Sequence, residues 1–186
     1  EVTRNLEDPA DVAYEAARIL GRFCKVDRVG YGVIDERNET VVIERDWTSD
    51  AVESITGFHK LRDYGSFIDD LKDGKVVALA DAATDPRTAK HANRLHDIGA
   101  GAIVNVPIHE QGKLVAVLFL HSQSPREWPS TDLQFIRDVA EHTRQTVERR
   151  RAERQLRNLA SSLEEQVIER TEALRESDAL LRQSQK

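Results

Sequence analysis

The sequence predicts an α+β domain followed by a long helix. Two pairs of strand patterns, each joined by a short polar turn, predict antiparallel hairpins. Helical patterns precede and separate these hairpins, so we expect the helices to gather on one side of an antiparallel sheet. After Pro129 the chain contains no proline or glycine and is rich in strong helix formers. We therefore predict an N-terminal extension at residues 1–8, a domain at 9–148 and a helical segment at 149–186.

The bulk composition excludes several classes of function. The chain has 186 residues, of which 32% are charged, and its net charge of -6 argues against a nucleic-acid binder. It contains no apolar run long enough to span a membrane, and its polar start does not resemble a signal peptide. A single cysteine, Cys24, permits no internal disulfide. We expect a cytoplasmic protein, and because the chain has no methionine and begins with Glu1, we interpret it as part of a longer one.

The first half of the domain predicts one helix and one hairpin. Asp8 and Pro9 are typical of an N-cap and a first helical position. Apolar residues then recur at helical spacing and form one face: Val12, Ala16, Ile19, Leu20 and Phe23. Val29–Asp35 and Thr40–Trp47 predict two strands joined by a polar turn. Ile55–Leu61 fits either a short strand or an irregular connection.

The second half predicts two short helices and the centre of the sheet. Ser66–Lys75 and Thr88–Ile98 have helical patterns, each with a glycine that can end the helix, and Val76–Asp81 predicts a short strand. Two nearly continuous apolar runs follow, GAIVNVPIHEQ and KLVAVLFLHSQ, which predict central strands covered on both faces. The last helix begins after a linker, with Thr131 as the expected N-cap and Gln134 three residues later as its capping-box partner.

The order of these elements resembles a GAF domain over about residues 9–148. The features that carry the resemblance are a turn after a strand, a helix ended by glycine, the apolar hairpin and the start of the closing helix. They are Thr84-Asp85-Pro86-Arg87, Gly99, Val106-Pro107-Ile108, Gly112, Trp128 and Asp132. The resemblance implies a PAS-related antiparallel sheet flanked by helices, with a small ligand held between the sheet and the elements that cover one face.

Several side chains are candidates to line such a pocket. They are Tyr31, Phe58, Phe67, His91, Asn105 and His121. Asn105 lies within an apolar strand, and His121 ends the next strand along the chain. A buried polar group needs a hydrogen-bond partner. That partner is either a ligand or another group of the protein, and the sequence leaves both open.

The cofactor stays unknown at this stage, and no cofactor is required by the sequence. In the bilin-binding members of the family a cysteine in the pocket region, often followed by histidine, attaches the pigment, whereas Cys24 is followed by Lys25; we therefore expect no bilin. We expect no haem either. His91 and His96 are about 140° apart around a helix, and no HxxxH or CxxC occurs, so no metal site is expected. A few GAF-fold proteins reduce methionine sulfoxide through an internal disulfide, which a chain with one cysteine cannot form. The set of residues that marks the cyclic-nucleotide-binding GAF domains cannot be placed in this sequence.

The end of the chain has a second resemblance. LEEQVIERTEALRESDALLRQSQK is similar to the linker helix that precedes the phosphoacceptor domain of bacterial sensor histidine kinases. The resemblance implies the sensory part of a two-component kinase, with a kinase core and a response regulator as partners of the parent protein. The fragment contains no phosphoacceptor motif and no ATP-binding motif, so we expect no catalytic residues and no enzymatic activity. A cyclase or another regulator is an alternative output.

Heptad-like spacing in this helix predicts a parallel homodimer. The predicted seam consists of Leu133, Ile136, Ala140, Thr143, Val147, Leu156, Leu159, Leu163, Val167, Leu174 and Leu181. It is interrupted by arginines at Arg149–Arg154, a run that we interpret as a solvated face because acidic residues alternate with it. The step from Leu163 to Leu174 is a stutter, which favours two packings of similar energy. The alternatives are a static dimerising stalk and an interaction scaffold whose pocket is collapsed.

Overall fold

The computed structural model describes residues 9–184, with side chains described for 9–150, 152–172 and 174. The predicted extension at 1–8, the expected N-cap Asp8 and the side chain of Leu181 lie outside the described residues. The chain divides into two compact units, one ending at Val147 and one beginning at Glu148. In the described part of the chain, no helix combines the length and the apolar character needed to cross a membrane.

Seven strands form one antiparallel sheet. Its order is β4-β2-β1-β7-β6-β5, and β3 pairs with β1 beside β2. The strands and helices are α1 (Pro9–Cys24), β1 (Arg28–Asp35), β2 (Thr40–Ile43), β3 (Asp46–Thr48), β4 (Gly57–Lys60), α2 (Phe67–Lys72), β5 (Val77–Leu79), α3 (Ala92–Asp97), β6 (Ala102–Glu110), β7 (Lys113–Ser122) and α4 (Ser130–Ser184). Short 3₁₀ turns at Leu61–Tyr64 and Ala89–His91 precede α2 and α3.

The hairpin of β6 and β7 forms the middle of the sheet together with β1. Gln111 and Gly112 connect its strands, and both have positive φ angles, 51° and 78°. Two such residues give a turn whose twist matches that of the strands, which sets the pairing of Glu110 with Lys113. β7 lies between β1 and β6, and most of its residues are buried. The prediction of two inner strands is therefore confirmed.

Helices cover both faces of the sheet. On one face, Leu20 of α1 and Ile136 of α4 pack in the same cluster as Leu118 of β7. On the other face, Leu71 of α2 belongs to a cluster that contains Phe119, the next residue along β7. The predicted antiparallel sheet with flanking helices is confirmed, but the expectation that the helices gather on one side is wrong. Successive strand residues point to opposite faces, so a continuously apolar strand needs cover on both.

Several predicted boundaries differ from the structure. The predicted strand Thr40–Trp47 is two strands, since the chain leaves β2 after Ile43 and β3 pairs with the other end of β1. The ambiguous segment Ile55–Leu61 contains β4, an edge strand paired with β2. Thr131 is not the N-cap of α4, because the helix begins at Ser130 and the amide of Leu133 donates to the carbonyl of Pro129.

The predicted long helix is present as α4, without interruption from Ser130 to Ser184. Its first five turns or so, up to Val147, belong to the domain, where Ile136, Ala140 and Thr143 are buried. These three residues of the predicted seam are therefore used inside the domain. In the second unit the seam leucines whose side chains are described are exposed, for example Leu156 at 68% and Leu163 at 52%. The dimer itself stays a prediction.

A candidate ligand-binding cleft

A cleft lies on the face of the sheet that α2 and α3 cover. The empty space within it, counted out into the open mouth and the solvent there, is about 520 Å³. The walls are mainly aliphatic and aromatic, with contributions from β2, β6, β7, α2 and α3. Four polar side chains also line it: His59, Tyr64, Asn105 and His121. An apolar cleft with a few polar groups is the usual design of a site for a small organic ligand.

Three of the six predicted pocket residues line this cleft. They are Phe67 at the start of α2, Asn105 in β6 and His121 near the end of β7. The other three, Tyr31, Phe58 and His91, do not line it.

The pleat of the sheet explains two of these exclusions. Phe58 pairs with Val42, which points away from the cleft, and its side chain is 63% exposed. Tyr31 faces the opposite side of the sheet, in the cluster formed by α1 and α4. Its hydroxyl is buried and has no hydrogen-bond partner of normal geometry among the described residues. Burial raises the pKa of Tyr31 to about 12, although the nearby Thr143 side chain opposes the shift.

Asn105 is the polar residue that the sequence singled out within an apolar strand. It is 5% exposed and pairs with Val77 of β5 and Phe119 of β7. Its side-chain Oδ1 is buried and meets no hydrogen-bond donor within the described part of the protein. The sequence left open whether the partner of Asn105 is a ligand or another group of the protein. Among the described residues no group of the protein donates to Oδ1. Asn105 itself lines the cleft, while its Oδ1 atom is enclosed by the protein.

His121 is held in one protonation state by Arg28. Nη1 of Arg28 lies 3.2 Å from Nδ1 of His121, and both residues are buried. A guanidinium only donates hydrogen bonds, so Nδ1 of His121 accepts and the ring proton is on Nε2. Burial, and then the charge of Arg28, lower the pKa of His121 to about 3. The imidazole is therefore a neutral Nε2–H donor at physiological pH.

Arg28 ties together the segments around one end of the cleft. Its guanidinium donates to the carbonyl of Ile98 at 2.7 Å and to the carbonyl of Glu53 at 2.5 Å. It also forms a buried ion pair with Asp46, with Nε 3.5 Å from Oδ2. Burial lowers the pKa of Arg28, while the neighbouring carboxylates, Asp46 foremost, oppose that change. The guanidinium therefore keeps its charge and holds both connections against the sheet.

The carboxylate of Asp46 extends this buried network to the connection between β3 and β4. It accepts hydrogen bonds from Oγ of Ser54 at 2.6 Å and from the amide of Ile55 at 2.9 Å. Ile55 lines the cleft. Sequence reasoning missed both Arg28 and Asp46. The one signal that could have pointed to Arg28 is that this charged residue directly precedes a strongly apolar strand pattern. Their pairing depends on the register of β1 with β3 and could not be read from that signal alone.

The other two polar side chains of the cleft satisfy each other. Nε2 of His59 lies 2.8 Å from the carbonyl of Ile55 and must donate to it, so Nδ1, 3.1 Å from the hydroxyl of Tyr64, accepts from that group. These residues stabilise the wall of the cleft and have no spare ring nitrogen for a ligand. Sequence reasoning did not single out either residue: His59 lies in the ambiguous segment Ile55–Leu61, and Tyr64 follows it.

Cys24 and the histidines form no recognisable metal site. Cys24 is buried, and burial foremost raises the pKa of its thiol to about 11, which keeps it protonated and unreactive. Across the described residues there is no group of three or more side chains placed to ligate a metal ion.

Comparison with protein families decides the classification. The family model described as GAF domain matches residues 8–147. The chain belongs to the GAF domain family. The match covers the first unit from residue 8 to its end. Trp128, one of the residues that carried the resemblance, anchors the approach to α4 by donating from Nε1 to the carbonyl of Leu79 at 2.9 Å. A search of curated proteins finds no match.

Solved structures with this GAF fold include several pigment-binding domains. The blue-light-absorbing form of the PixJ GAF domain of Thermosynechococcus elongatus is 18% identical, with a TM-score of 0.66, and the match covers 80% of this chain and 90% of that one. A phycoerythrobilin-bound GAF domain from a cyanobacterial phytochrome is 16% identical, with a TM-score of 0.68 and coverage of 78% and 88%. A phycocyanobilin-bound GAF domain from a cyanobacterial phytochrome is 17% identical, with a TM-score of 0.65 and coverage of 76% and 85%. At these identities the likeness establishes the fold.

The expectation of no bilin is overturned by these structures. That expectation depended on Cys24, which is followed by Lys25 and not by histidine. It therefore concerned only one possible point at which a bilin could be covalently attached. GAF domains of the same fold hold phycoerythrobilin and phycocyanobilin. The fold of this chain is therefore compatible with a bilin, whatever the role of Cys24.

Proposed function

We propose that this GAF domain is the sensory input module of a signalling protein and that it binds a small organic molecule in the cleft. The observation that supports this most directly is Asn105, a buried polar residue that lines an apolar cleft and whose Oδ1 meets no donor among the described residues. Leaving a buried acceptor unpaired costs about 1–3 kcal/mol, a cost that a bound ligand would remove. A collapsed domain that only serves as a scaffold has no use for such a group.

A linear tetrapyrrole is one candidate occupant. The support is the shared fold with bilin-bound GAF domains. Within the cleft, Asn105 and His121 would meet polar atoms of the pigment, and the aliphatic and aromatic walls would cover its ring edges. A bound bilin would supply absorption of visible light and a light-driven change of shape.

We further propose that α4 carries the signal to an output domain as part of a parallel homodimer. The support is the row of aliphatic side chains in the second unit that are more than half exposed at heptad-like positions. They are Leu156, Leu159, Leu163, Val167 and Leu174. A solvent-exposed leucine row along a helix is stabilised by a second such helix. The resemblance of the last residues to histidine kinase linkers makes a cytoplasmic kinase core, and through it a response regulator, the proposed output.

One experiment tests the sensory proposal directly. Freshly purified protein is examined by native mass spectrometry, and a second sample is mixed with biliverdin and its visible spectrum recorded before and after illumination. We expect either a stoichiometric small molecule in the first sample or a shifted pigment absorption band in the second. A protein that carries no small molecule and leaves the biliverdin spectrum unchanged would instead support the scaffold.

A further inference from the structure

Three apolar side chains form an exposed row, the outer row, at one end of the sheet on the face opposite the cleft. Val33 of β1 pairs with Val42 of β2, and Val42 pairs with Phe58 of β4. Directly paired residues of antiparallel strands point to the same face, and these three side chains are 54%, 44% and 63% exposed. The cluster that α1 and α4 form on this face contains Tyr31 but not Val33. The described helices therefore leave the outer row uncovered.

The outer row ends at a strand with an open edge. β4 is the last strand in the order of the sheet, with β2 on one side and no strand of the described residues on the other. The amide of Leu61 donates to the carbonyl of Glu39 at 2.8 Å. Because hydrogen-bonded and non-hydrogen-bonded pairs alternate along antiparallel strands, the N–H and C=O groups of Phe58 and Lys60 point away from β2. Such an edge can pair with a strand of another chain.

Two residues of opposite charge flank the outer row. Lys60 follows Phe58 by two residues, and Glu44 follows Val42 by two residues, so the antiparallel pairing of β2 with β4 places them beyond opposite ends of the outer row. Both are exposed, and neither forms an ion pair with a described residue. A two-fold axis reverses the strand direction, so the positive end of one copy meets the negative end of the other. The surface is therefore complementary to itself.

We propose that the β4 edges of two copies of this chain pair antiparallel, about a two-fold axis at Phe58. In this register Phe58 lies opposite its equivalent, and the two outer rows join into one apolar row across six strands. Lys60 lies opposite Thr56 of the second copy, and Glu44 of that copy is one strand further away, roughly 10 Å from Lys60 between Cα atoms. A register centred on Lys60 would place two lysines directly opposite each other, which is unfavourable.

This surface lies outside the cleft, and the inference does not depend on the proposed function. A four-residue edge is a small contact, below the roughly 1,000 Å² that a stable interface usually buries. We therefore expect a weak association that depends on protein concentration. The proposed dimer of α4 uses other residues, and two different two-fold contacts on one chain join dimers into larger assemblies. The β4 contact would thus gather sensor dimers into clusters.

Disulfide cross-linking of the full chain tests the pairing, with Cys24→Ala introduced first. In Phe58→Cys the new thiols lie on neighbouring strands across the axis, about 5.5 Å apart between Cα atoms, which a disulfide can span. Val33→Cys is the matched control, because its side chain is also about half exposed but lies five strand spacings from its equivalent, about 24 Å. We expect Phe58→Cys to cross-link about tenfold faster or more under mild oxidation.

Charge reversal tests the register. Introduced into the Phe58→Cys chain, Lys60→Glu or Glu44→Lys alone should slow the cross-linking about threefold, because each places like charges together. The two changes combined exchange the charged ends and should restore the original rate. Both side chains are exposed and have no ion pair among the described residues, so each variant should keep the melting temperature of its parent.

Hydrogen exchange gives a second measurement on the unmodified protein. The amides of Phe58 and Lys60 should exchange more slowly as the protein concentration is raised, because pairing occupies them. Equal cross-linking of Phe58→Cys and Val33→Cys would overturn the inference, as would a combined charge reversal that cross-links no faster than the single ones. Slow exchange at every concentration without the Phe58→Cys cross-link would assign the edge to another part of the same chain, and this too would reject the pairing of two copies.

Discussion

Nη1 of Arg28 and Nδ1 of His121 lie 3.2 Å apart in the interior of the domain, across directly paired positions of β1 and β7. The contact has two consequences. It forces the imidazole to accept, so that the ring presents a neutral N–H to the cleft. It also joins the cleft to the connections that Arg28 holds at Glu53 and Ile98.

The stability of the domain should fall in mild acid because of His121. Its pKa in the folded state is about 3, below the ordinary 6.5. The unfolded chain therefore binds a proton as the pH falls through 6.5 while the folded protein does not. The contribution of neutral His121 is complete above pH 6.5 and is lost as the pH falls towards 3. At pH 5 the loss should be about 2 kcal/mol.

The measurement is urea unfolding of the wild type and of His121→Phe at pH 7.5 and pH 5, followed by the fluorescence of Trp47 and Trp128. The variant lacks the titrating ring, so the free energy of unfolding of the wild type should fall by about 2 kcal/mol more than that of the variant. Because other carboxylates titrate in both proteins, only the difference is informative. Parallel pH dependences would contradict the assignment.

Arg28→Met should destabilise the domain severely. The change removes the cation and leaves the carboxylate of Asp46 buried with one partner fewer, and it frees two carbonyls. Breaking a buried ion pair in this way costs about 3–5 kcal/mol. The matched control is Arg94→Met, whose ion pair with Asp63 is exposed and should cost less than about 1 kcal/mol. Similar losses in the two variants, measured by urea unfolding, would show that the buried network contributes little.

Ile136→Ala should destabilise the GAF domain itself, since this residue of α4 is fully buried against the sheet. Truncating a buried isoleucine costs about 2–5 kcal/mol, partly through the cavity that remains. Val33→Ala, at a site that is 54% exposed, is the control and should cost under about 1 kcal/mol. Tryptophan fluorescence during thermal unfolding reports both. A small loss at Ile136 would mean that α4 is not part of the domain core.

Gly21→Ala should destabilise the protein even though alanine is the better helix former. A Cβ atom at this position of α1 would lie 2.0 Å from the ring of Trp47. Alanine normally gains about 1 kcal/mol over glycine inside a helix, but overpacking costs about 1–3 kcal/mol. We expect a net loss in thermal stability. The double variant Gly21→Ala, Trp47→Leu should lose less than the sum of the two single changes, and strict additivity would argue against the contact.

Leu163→Cys should form a disulfide between two chains if the proposed parallel dimer is correct. Cys24→Ala is introduced first so that the new thiol is alone. Leu163 is on the exposed leucine row, and equivalent seam positions of parallel helices lie close together. Glu165→Cys, two residues further along the helix, is the control and should cross-link less. Non-reducing gel electrophoresis after mild oxidation measures both, and monomeric protein at micromolar concentration would refute the dimer.

The cleft could be predicted from the sequence in part. A polar residue in an apolar strand was informative, and both Asn105 and His121 line the cleft. The same reasoning placed Tyr31 there, but its side chain lies on the opposite face. β1 is apolar on both sides, so composition could not decide which face each residue occupies. A displacement of one residue in register exchanges the faces.

Local patterns in the sequence determined the elements of this protein. The positive φ angles of Gln111 and Gly112, the helix ended at Gly99 and the uninterrupted helix after Pro129 all depend on residues close together in the chain. Tertiary structure alone decided which helices cover which face and which charged residues meet. Arg28 and His121 are 93 positions apart, and the register of β1 on β7 brings them together. That register is set by the packing of the whole sheet, which depends on contacts between residues far apart in the chain. A local segment of sequence therefore cannot determine it.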